Sequence, residues 1–148
     1  MYTVLTIAII AILDQFFKSL IIKKVMLYTG VEIIKDFFYI THIENHGIAF
    51  GLFKNRNTFF VITTSIVIFF LLYLTYRFYN RNILLTYCLS FIVGGALGNL
   101  IDRIKYGYVI DYLQFTFFPP IFNFADATIV CGAIVLSLLL FFDKNIVI

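Results

Sequence analysis

The chain has 148 residues, of which 62% are hydrophobic and only 13% are charged, with a formal net charge of +3. In soluble domains about a quarter of the residues are charged, so this composition excludes an ordinary soluble fold and predicts a membrane protein. A transmembrane helix needs about 20 apolar residues, so the length allows roughly four spans and no second domain. The basic residues form no run, which argues against nucleic-acid binding. We expect one domain over residues 1–148, in contact with membrane lipids.

Four apolar stretches predict four transmembrane helices, at about 3–22, 58–76, 83–101 and 124–142. We interpret the first as a retained anchor, because no A-x-A-like cleavage site follows it. The third holds Gly94, Gly95 and Gly98, a small-residue pattern that allows a neighbouring helix to approach closely. An even number of crossings places both termini on one side of the membrane and both longer connections on the other.

The two longer connections differ in composition. Residues 31–43 are rich in Val, Ile, Phe, Tyr and Thr, which predicts one or two short strands, and a turn is expected at residues 45–47. Residues 102–123 contain Gly107 and the Pro119-Pro120 pair, which predict irregular backbone at the membrane interface.

The cations are distributed unequally between the two sides of the predicted bundle. The positive-inside rule assigns the side with more Lys and Arg residues to the cytoplasm, and here that side bears the two longer connections. The side that bears these connections has Lys23, Lys24, Lys35, Lys54, Arg56, Arg103 and Lys105, and the other has Arg77, Arg81 and Lys144.

Carboxylates within or beside a membrane span are functional candidates, because burying them is costly. Asp14 and Lys18 stand at i and i+4 on one helical face, which suits a structural ion pair or a lysine that reaches the interface. Asp102 follows the last apolar turn of the third span. We expect it to be scaffold, with Arg103 or a backbone amide as its partner.

Asp111 and Asp126 form the carboxylate pair that best suits acid-base chemistry. Asp111 lies in an apolar patch of the second connection that gives no structural reason for an aspartate. Asp126 lies three residues after Asn123, so a helix cap alone could also explain it. Two facing carboxylates at low dielectric cannot easily both ionise, so one should hold a proton at neutral pH. We predict that Asp126, at the positive end of a helix dipole, is the base.

Other chemistries have weaker support. His42 and His46 are four residues apart, but they lie in a predicted strand and turn rather than on a helix, so no metal site is expected. Cys88 and Cys131 are interpreted as buried apolar residues, and no cofactor is implied. A transporter or proton relay that uses the four aspartates, or a purely structural membrane protein, remains a possible alternative.

The chain resembles lipoprotein signal peptidases, the type II signal peptidases of the aspartic peptidase family A8. The resemblance covers nearly the whole chain, in five ordered blocks. These blocks are Asp14-Gln15-Phe16-Phe17-Lys18, Asn45-His46-Gly47-Ile48-Ala49-Phe50-Gly51, Gly94-Gly95-Ala96-Leu97-Gly98-Asn99-Leu100-Ile101-Asp102-Arg103, Val109-Ile110-Asp111-Tyr112 and Phe122-Asn123-Phe124-Ala125-Asp126. Two departures are Pro119, where the family usually has an aromatic residue, and Tyr112, where phenylalanine is common.

The resemblance implies a fold, an activity and a location. The fold is a membrane all-α bundle of four transmembrane helices, with a small extracytoplasmic β-cradle and a loop at the outer membrane surface. The activity is that of an endopeptidase that cleaves diacylglyceryl-modified prolipoproteins just before the lipidated cysteine of the lipobox. The location is the bacterial inner membrane, with cytoplasmic termini and an active site at the outer leaflet, which conflicts with the cation count. We expect a monomer.

The resemblance also assigns roles to residues. It implies that Asp111 and Asp126 are the catalytic dyad. It implies that substrate binding and support of the site come from Asn99, Asp102, Arg103, Asn123, Gly98, Asn45, Asp14 and Lys18.

Overall fold

Four long helices and one small sheet make up the computed structural model, which describes residues 2–47, 57–79 and 81–142. All four helices are long and apolar enough to cross a membrane, so the four predicted spans are confirmed. The elements in chain order are α1 (Tyr2–Lys24), β1 (Gly30–Ile34), β2 (Phe38–Asn45), α2 (Asn57–Phe78), α3 (Ile83–Tyr106), β3 (Val109–Phe115), β4 (Phe118–Phe122) and α4 (Phe124–Phe142).

Helix α3 is the centre of the bundle and packs against α1, α2 and α4. Its glycines permit these contacts. A Cβ atom added to Gly94 would lie 2.8 Å from Cβ of Ile10 on α1, and one added to Gly98 would lie 2.5 Å from Oδ2 of Asp14. Gly95 faces Ala125 of α4 in the same way. The close helix approach predicted from these glycines is therefore confirmed, and it involves two neighbouring helices.

Helix α3 extends about one turn beyond the predicted end of the third span. The sequence suggested an end near residue 101, because charged residues follow, but Asp102 is buried inside the bundle and the helix continues. Gly107 ends it in the left-handed conformation, with φ of 85°, and its N–H donates to the carbonyl oxygen of Arg103 at 3.1 Å. Glycine adopts this conformation without the steric cost of a Cβ atom.

The four strands form one antiparallel sheet in the order β1-β2-β3-β4. The strands predicted in the first connection are confirmed. The irregular backbone predicted for residues 102–123 is wrong, because β3 and β4 form a hairpin there. Its Val, Ile, Tyr and Phe residues favour strands, and Pro119 and Pro120 are tolerated because β4 is an edge strand. Since β2 pairs with β3, both connections lie at the same end of the bundle.

Cys88 is buried, as predicted, but Cys131 is exposed, which contradicts the prediction of burial. The outer face of α4 is apolar and exposed throughout, with Val130, Ile134 and Leu138 about half exposed. In a membrane such a face contacts lipid, so an apolar residue there needs no protein neighbour. Several residues in the sequence predictions lie outside the described ranges, namely Ile48, Ala49, Phe50, Gly51, Lys54, Arg56 and Lys144.

Candidate active site

The two aspartates predicted to form a pair meet where the sheet joins the helix bundle. Asp111 lies in the middle of β3 and is buried, while Asp126 is the third residue of α4 and is partly buried. Asp111 therefore belongs to a strand rather than to the loop that the sequence suggested. A regular strand fixes the direction of its side chain more firmly than a loop would.

Asn123 connects the two aspartates directly. Its Nδ2 donates to Oδ1 of Asp111 at 2.7 Å, and its main-chain N–H donates to Oδ2 of Asp126 at 3.2 Å. The Asn123 Oδ1 atom accepts from the N–H of Asp126 at 2.9 Å, which completes a reciprocal cap of α4. The predicted cap is thus confirmed, and the residue that makes it also binds the partner carboxylate.

Each carboxylate of the pair accepts N–H donors on both of its oxygens. The second donor to Asp111 is Nδ2 of Asn45, 2.8 Å from Oδ2, and the second donor to Asp126 is Nδ2 of Asn99, 2.7 Å from Oδ1. Burial, together with the nearby Asp126 carboxylate, raises the pKa of Asp111 from its usual 3.8 to about 7. Asp111 therefore holds a proton through much of the range below neutral pH, as a general acid must.

A second pair of aspartates is buried between α1 and α3 and binds a lysine. Lys18 Nζ is 2.8 Å from Oδ2 of Asp14 and 2.8 Å from Oδ2 of Asp102, and both carboxylates are inaccessible to solvent. Gln15 completes this group by donating to Oδ1 of Asp102 at 2.8 Å. These four residues, which we call the lysine cluster, fasten α1 to α3.

The backbone contacts of the lysine cluster link it to the elements that carry the aspartate pair. The main-chain N–H of Ala125 donates to Oδ1 of Asp14 at 3.0 Å, and that of Ile110 donates to Oδ2 of Asp102 at 3.1 Å. Each of these donors is the chain neighbour of one aspartate of the pair. The cluster therefore helps to fix where Asp111 and Asp126 stand.

Two sequence predictions concern the lysine cluster. The ion pair between Asp14 and Lys18 is confirmed, but the alternative of a lysine reaching towards the interface is wrong, because the Lys18 side chain is only 2% exposed. Of the two partners considered for Asp102, the backbone amide of Ile110 is observed. The other was Arg103, but the Asp102 ion pair in the structure is with Lys18.

Arg103 faces a different part of the site. Its Nη2 donates to the carbonyl oxygen of Gly47 at 3.1 Å, and its guanidinium carbon lies 4.4 Å from the centre of the Phe60 ring. Its Nη1 is buried and has no hydrogen-bond partner among the described residues. The side chain thus presents a positive charge and a free donor beside the end of β2.

Two residues in this region had no assigned role in the sequence predictions. Gln15 donates to the carbonyl oxygen of Gly98 at 3.1 Å as well as to Asp102. The hydroxyl of Tyr112 accepts from the N–H of Phe124, the first residue of α4, at 3.1 Å. Gln15 was visible within the first sequence block, whereas the contact of Tyr112 depends on how β3 packs against α4.

The histidines are engaged in local contacts. His42 is buried, and its Nδ1 lies 2.9 Å from the carbonyl oxygen of Val25. His46 Nε2 lies 3.5 Å from Oε2 of Glu44. Within residues 2–47, 57–79 and 81–142, no group of three or more His, Cys, Asp and Glu side chains has the arrangement of a metal site.

The chain matches known proteins over almost its full length. The sequence model of the peptidase A8 family, described as signal peptidase (SPase) II, matches residues 6–142. A lipoprotein signal peptidase of Caldanaerobacter subterraneus subsp. tengcongensis is 43% identical over 97% of this chain and 98% of that protein. One from Halothermothrix orenii is 41% identical over 96% and 97%.

A solved structure shares the fold. It is described as a bacterial membrane enzyme determined by the in meso method at 2.3 Å resolution. The TM-score is 0.87 and the sequences are 31% identical, over 97% of this chain and 90% of that one.

Proposed function

The chain belongs to the peptidase A8 family of type II signal peptidases, and on that premise we propose that it cleaves prolipoproteins with Asp111 and Asp126 as its catalytic dyad. The single observation that carries the dyad is that Asn123 bonds to both carboxylates, in a place where burial and Asp126 raise the pKa of Asp111 to about 7. Membership of a peptidase family sets aside the transporter, proton-relay and purely structural alternatives.

The proposed reaction is a hydrolysis by an activated water. Asp126 takes a proton from the water, whose oxygen attacks the scissile carbonyl carbon, while protonated Asp111 gives its proton to the carbonyl oxygen. The tetrahedral intermediate then breaks its C–N bond. Asp126 transfers its proton to the leaving nitrogen, and Asp111 recovers a proton from the hydroxyl as the carbonyl reforms. The enzyme therefore ends in its starting protonation state.

We propose that the substrate is a precursor whose cysteine carries a diacylglyceryl group, and that cleavage occurs just before this cysteine. The aspartate pair lies at one end of the bundle, where strand β3 meets helix α4. A substrate lipid can stay in hydrocarbon beside the helices while its peptide bond reaches polar groups at this end. Arg103 Nη1, which has no hydrogen-bond partner among the described residues, can donate only to a group with a lone pair, such as a peptide carbonyl oxygen of the substrate.

The remaining candidate residues are proposed to support this site. Asn45, Asn99 and Asn123 hold the carboxylates, and Gly98 leaves room for Asp14. Asp14, Lys18 and Asp102 form the buried ion pairs behind them. No metal or organic cofactor enters the proposed reaction, so cleavage should survive a chelator.

The protein is a multi-pass bacterial membrane protein, and we propose that it lies in the inner membrane with cytoplasmic termini and an external active site. The cation count opposes this orientation. One of the counted cations at the sheet end, however, is engaged inside the protein, since Arg103 contacts Gly47 and Phe60. A reporter fused to the C-terminus should be active in the cytoplasm, and external activity would contradict this orientation.

We also propose that residues 1–148 act as one domain and as a monomer. This is supported by the four candidate aspartates, which find lysine and asparagine partners within one chain. Sedimentation of the detergent-solubilised protein should show one chain per particle.

The experiment that tests the proposed function is cleavage of a diacylated lipobox peptide by the purified protein in detergent or lipid. Mass spectrometry of the products should locate the cut just before the lipidated cysteine. Asp111→Asn and Asp126→Asn should each lower kcat/KM by about a thousandfold or more, because each removes one proton-transfer group. Retained cleavage in either variant would contradict the dyad, and a cut elsewhere in the peptide would contradict the proposed specificity.

A further inference from the structure

We propose that Lys18 is a positioning residue that makes Asp126 the base of the pair, by orienting the Asn99 amide between them. This inference rests on the proposed function and assigns a role within the same site. The hydrogen bonds of one ammonium group link the lysine cluster to the aspartate pair.

All three donors of the Lys18 ammonium are used inside the protein. Two go to Asp14 and Asp102, and the third goes to Oδ1 of Asn99 at 2.9 Å. An ammonium has donors and no acceptor, so only the oxygen of the Asn99 amide can face it. A flipped amide would bring an NH2 group against the positive charge.

The orientation of this amide determines what Asp126 receives. With its oxygen on Lys18, Asn99 must point Nδ2 at Oδ1 of Asp126, where the distance is 2.7 Å. An N–H donor binds a lone pair, and a donor polarised by a neighbouring cation binds it more strongly. The arrangement therefore favours the anionic form of Asp126, which is the form that can take a proton from water.

Asp111 receives a different kind of support. Its two donors are the amides of Asn45 and Asn123, and the oxygens of these amides accept from the main-chain N–H groups of Gly47 and Asp126 rather than from a cation. The two carboxylates thus have equal numbers of N–H donors, but only that of Asp126 is backed by a lysine. Asp126 also stands in the first turn of α4, where the helix dipole favours an anion.

Other charged and titratable groups surround this connection, so an experiment must separate them from Lys18. They are Asp14 on α1, Asp102 and Arg103 on α3, and Asp111 and Tyr112 on β3.

Gln15 provides a matched control. It lies in the same cluster, and it donates to Asp102, to the carbonyl oxygen of Gly98 and to Asp14 rather than to Asn99. A change at Gln15 therefore disturbs the cluster without reorienting the amide that serves Asp126.

The test is the pH profile of kcat/KM for peptide cleavage. In Lys18→Met the limb on the acid side should move to higher pH by about one unit or more, because the base loses its supporting charge and must be ionised for activity. Lys18→Arg should restore the position of this limb, since arginine keeps both charge and donors. Gln15→Met should keep the acid limb of the pH profile at its position in the parent, even where its rate is lower.

A lower rate in Lys18→Met with an unchanged acid limb would overturn the proposal, since it would show a structural role alone. If Lys18→Met does not fold, Asn99→Leu takes its place, because it removes the amide and leaves both lysine ion pairs intact. It should show the same displacement, and a parent-like limb would overturn the proposal. A parent enzyme that does not cleave, or an active Asp126→Asn, would instead contradict the proposed function.

Discussion

The lysine cluster and the aspartate pair contain the same number of carboxylates, lie next to each other and differ in one respect. Asp14 and Asp102 contact an ammonium group, whereas Asp111 and Asp126 contact only amides. A carboxylate that contacts a buried ammonium group is held in an ion pair, and here these ion pairs fasten α1 to α3. A pair held by neutral donors must share its negative charge, and this keeps one proton available. Whether a buried aspartate is structural or suited to proton transfer thus depends on its contact partner rather than on its burial.

The largest expected effect on stability comes from breaking the lysine cluster. Asp102→Ala leaves Lys18 with one carboxylate and the N–H of Ile110 without its acceptor. Removing one partner of a buried ion pair costs about 3–5 kcal/mol. Thermal unfolding in detergent should show this loss. An unfolding temperature equal to that of the parent would mean that the cluster does not fasten the helices.

The pH dependence of stability should reveal the aspartate pair. The pKa of Asp111 is about 7 in the folded protein and 3.8 in its usual state, so between these values the folded protein binds more protons than the unfolded chain. Stability contributed by this proton is complete below about pH 4 and is lost as the pH rises to about 7. The slope is at most about 1.4 kcal/mol per pH unit.

The Asp111→Asn variant has no titratable group at this position and therefore provides the control. Its free energy of unfolding should lack the decline that the parent shows between about pH 4 and 7. Cleavage by the parent should also fall on the alkaline side of about pH 7, where the general acid ionises. Identical slopes for parent and variant would mean that Asp111 titrates normally.

A smaller effect is expected from the glycine that separates α1 from α3. In Gly98→Ala the new methyl group would lie 2.5 Å from Oδ2 of Asp14, so the carboxylate must move away from Lys18. Overpacking of this kind costs about 1–3 kcal/mol and should lower cleavage as well.

Gly107→Ala is the matched control for Gly98→Ala. A Cβ atom there would meet nothing within 4 Å, so its cost is limited to backbone strain at a positive φ, about 1–2 kcal/mol. Cleavage by the folded fraction should be unchanged in Gly107→Ala and reduced in Gly98→Ala. Equal activity in both variants would show that the packing around Asp14 does not affect the aspartate pair.

The smallest effect is expected at Tyr112. Tyr112→Phe removes the hydroxyl that accepts from the N–H of Phe124 at the start of α4. Loss of one such bond costs about 1 kcal/mol, so kcat/KM should fall by about tenfold at most. A loss as large as that of a dyad variant would give the hydroxyl a direct part in catalysis.

The spans and the carboxylate candidates could be predicted from the sequence, because apolar length and isolated charges in apolar surroundings are local signals. The strands β3 and β4 could not, since Gly107 and the two prolines also suit irregular backbone, and only pairing with β2 selects a sheet. The ion-pair partner of Asp102 could not be predicted from the sequence either. Lys18 is far away in the chain, whereas Arg103 is adjacent, and only the packing of α1 on α3 brings the lysine to the carboxylate.

The most direct test of the contrast between the two pairs is to measure cleavage and unfolding temperature together for four single variants, Asp14→Asn, Asp102→Asn, Asp111→Asn and Asp126→Asn. We expect the two variants of the aspartate pair to lose cleavage by about a thousandfold without a clear fall in unfolding temperature. We expect the two variants of the lysine cluster to unfold at clearly lower temperature. Near-parental cleavage by Asp111→Asn or Asp126→Asn would contradict the account.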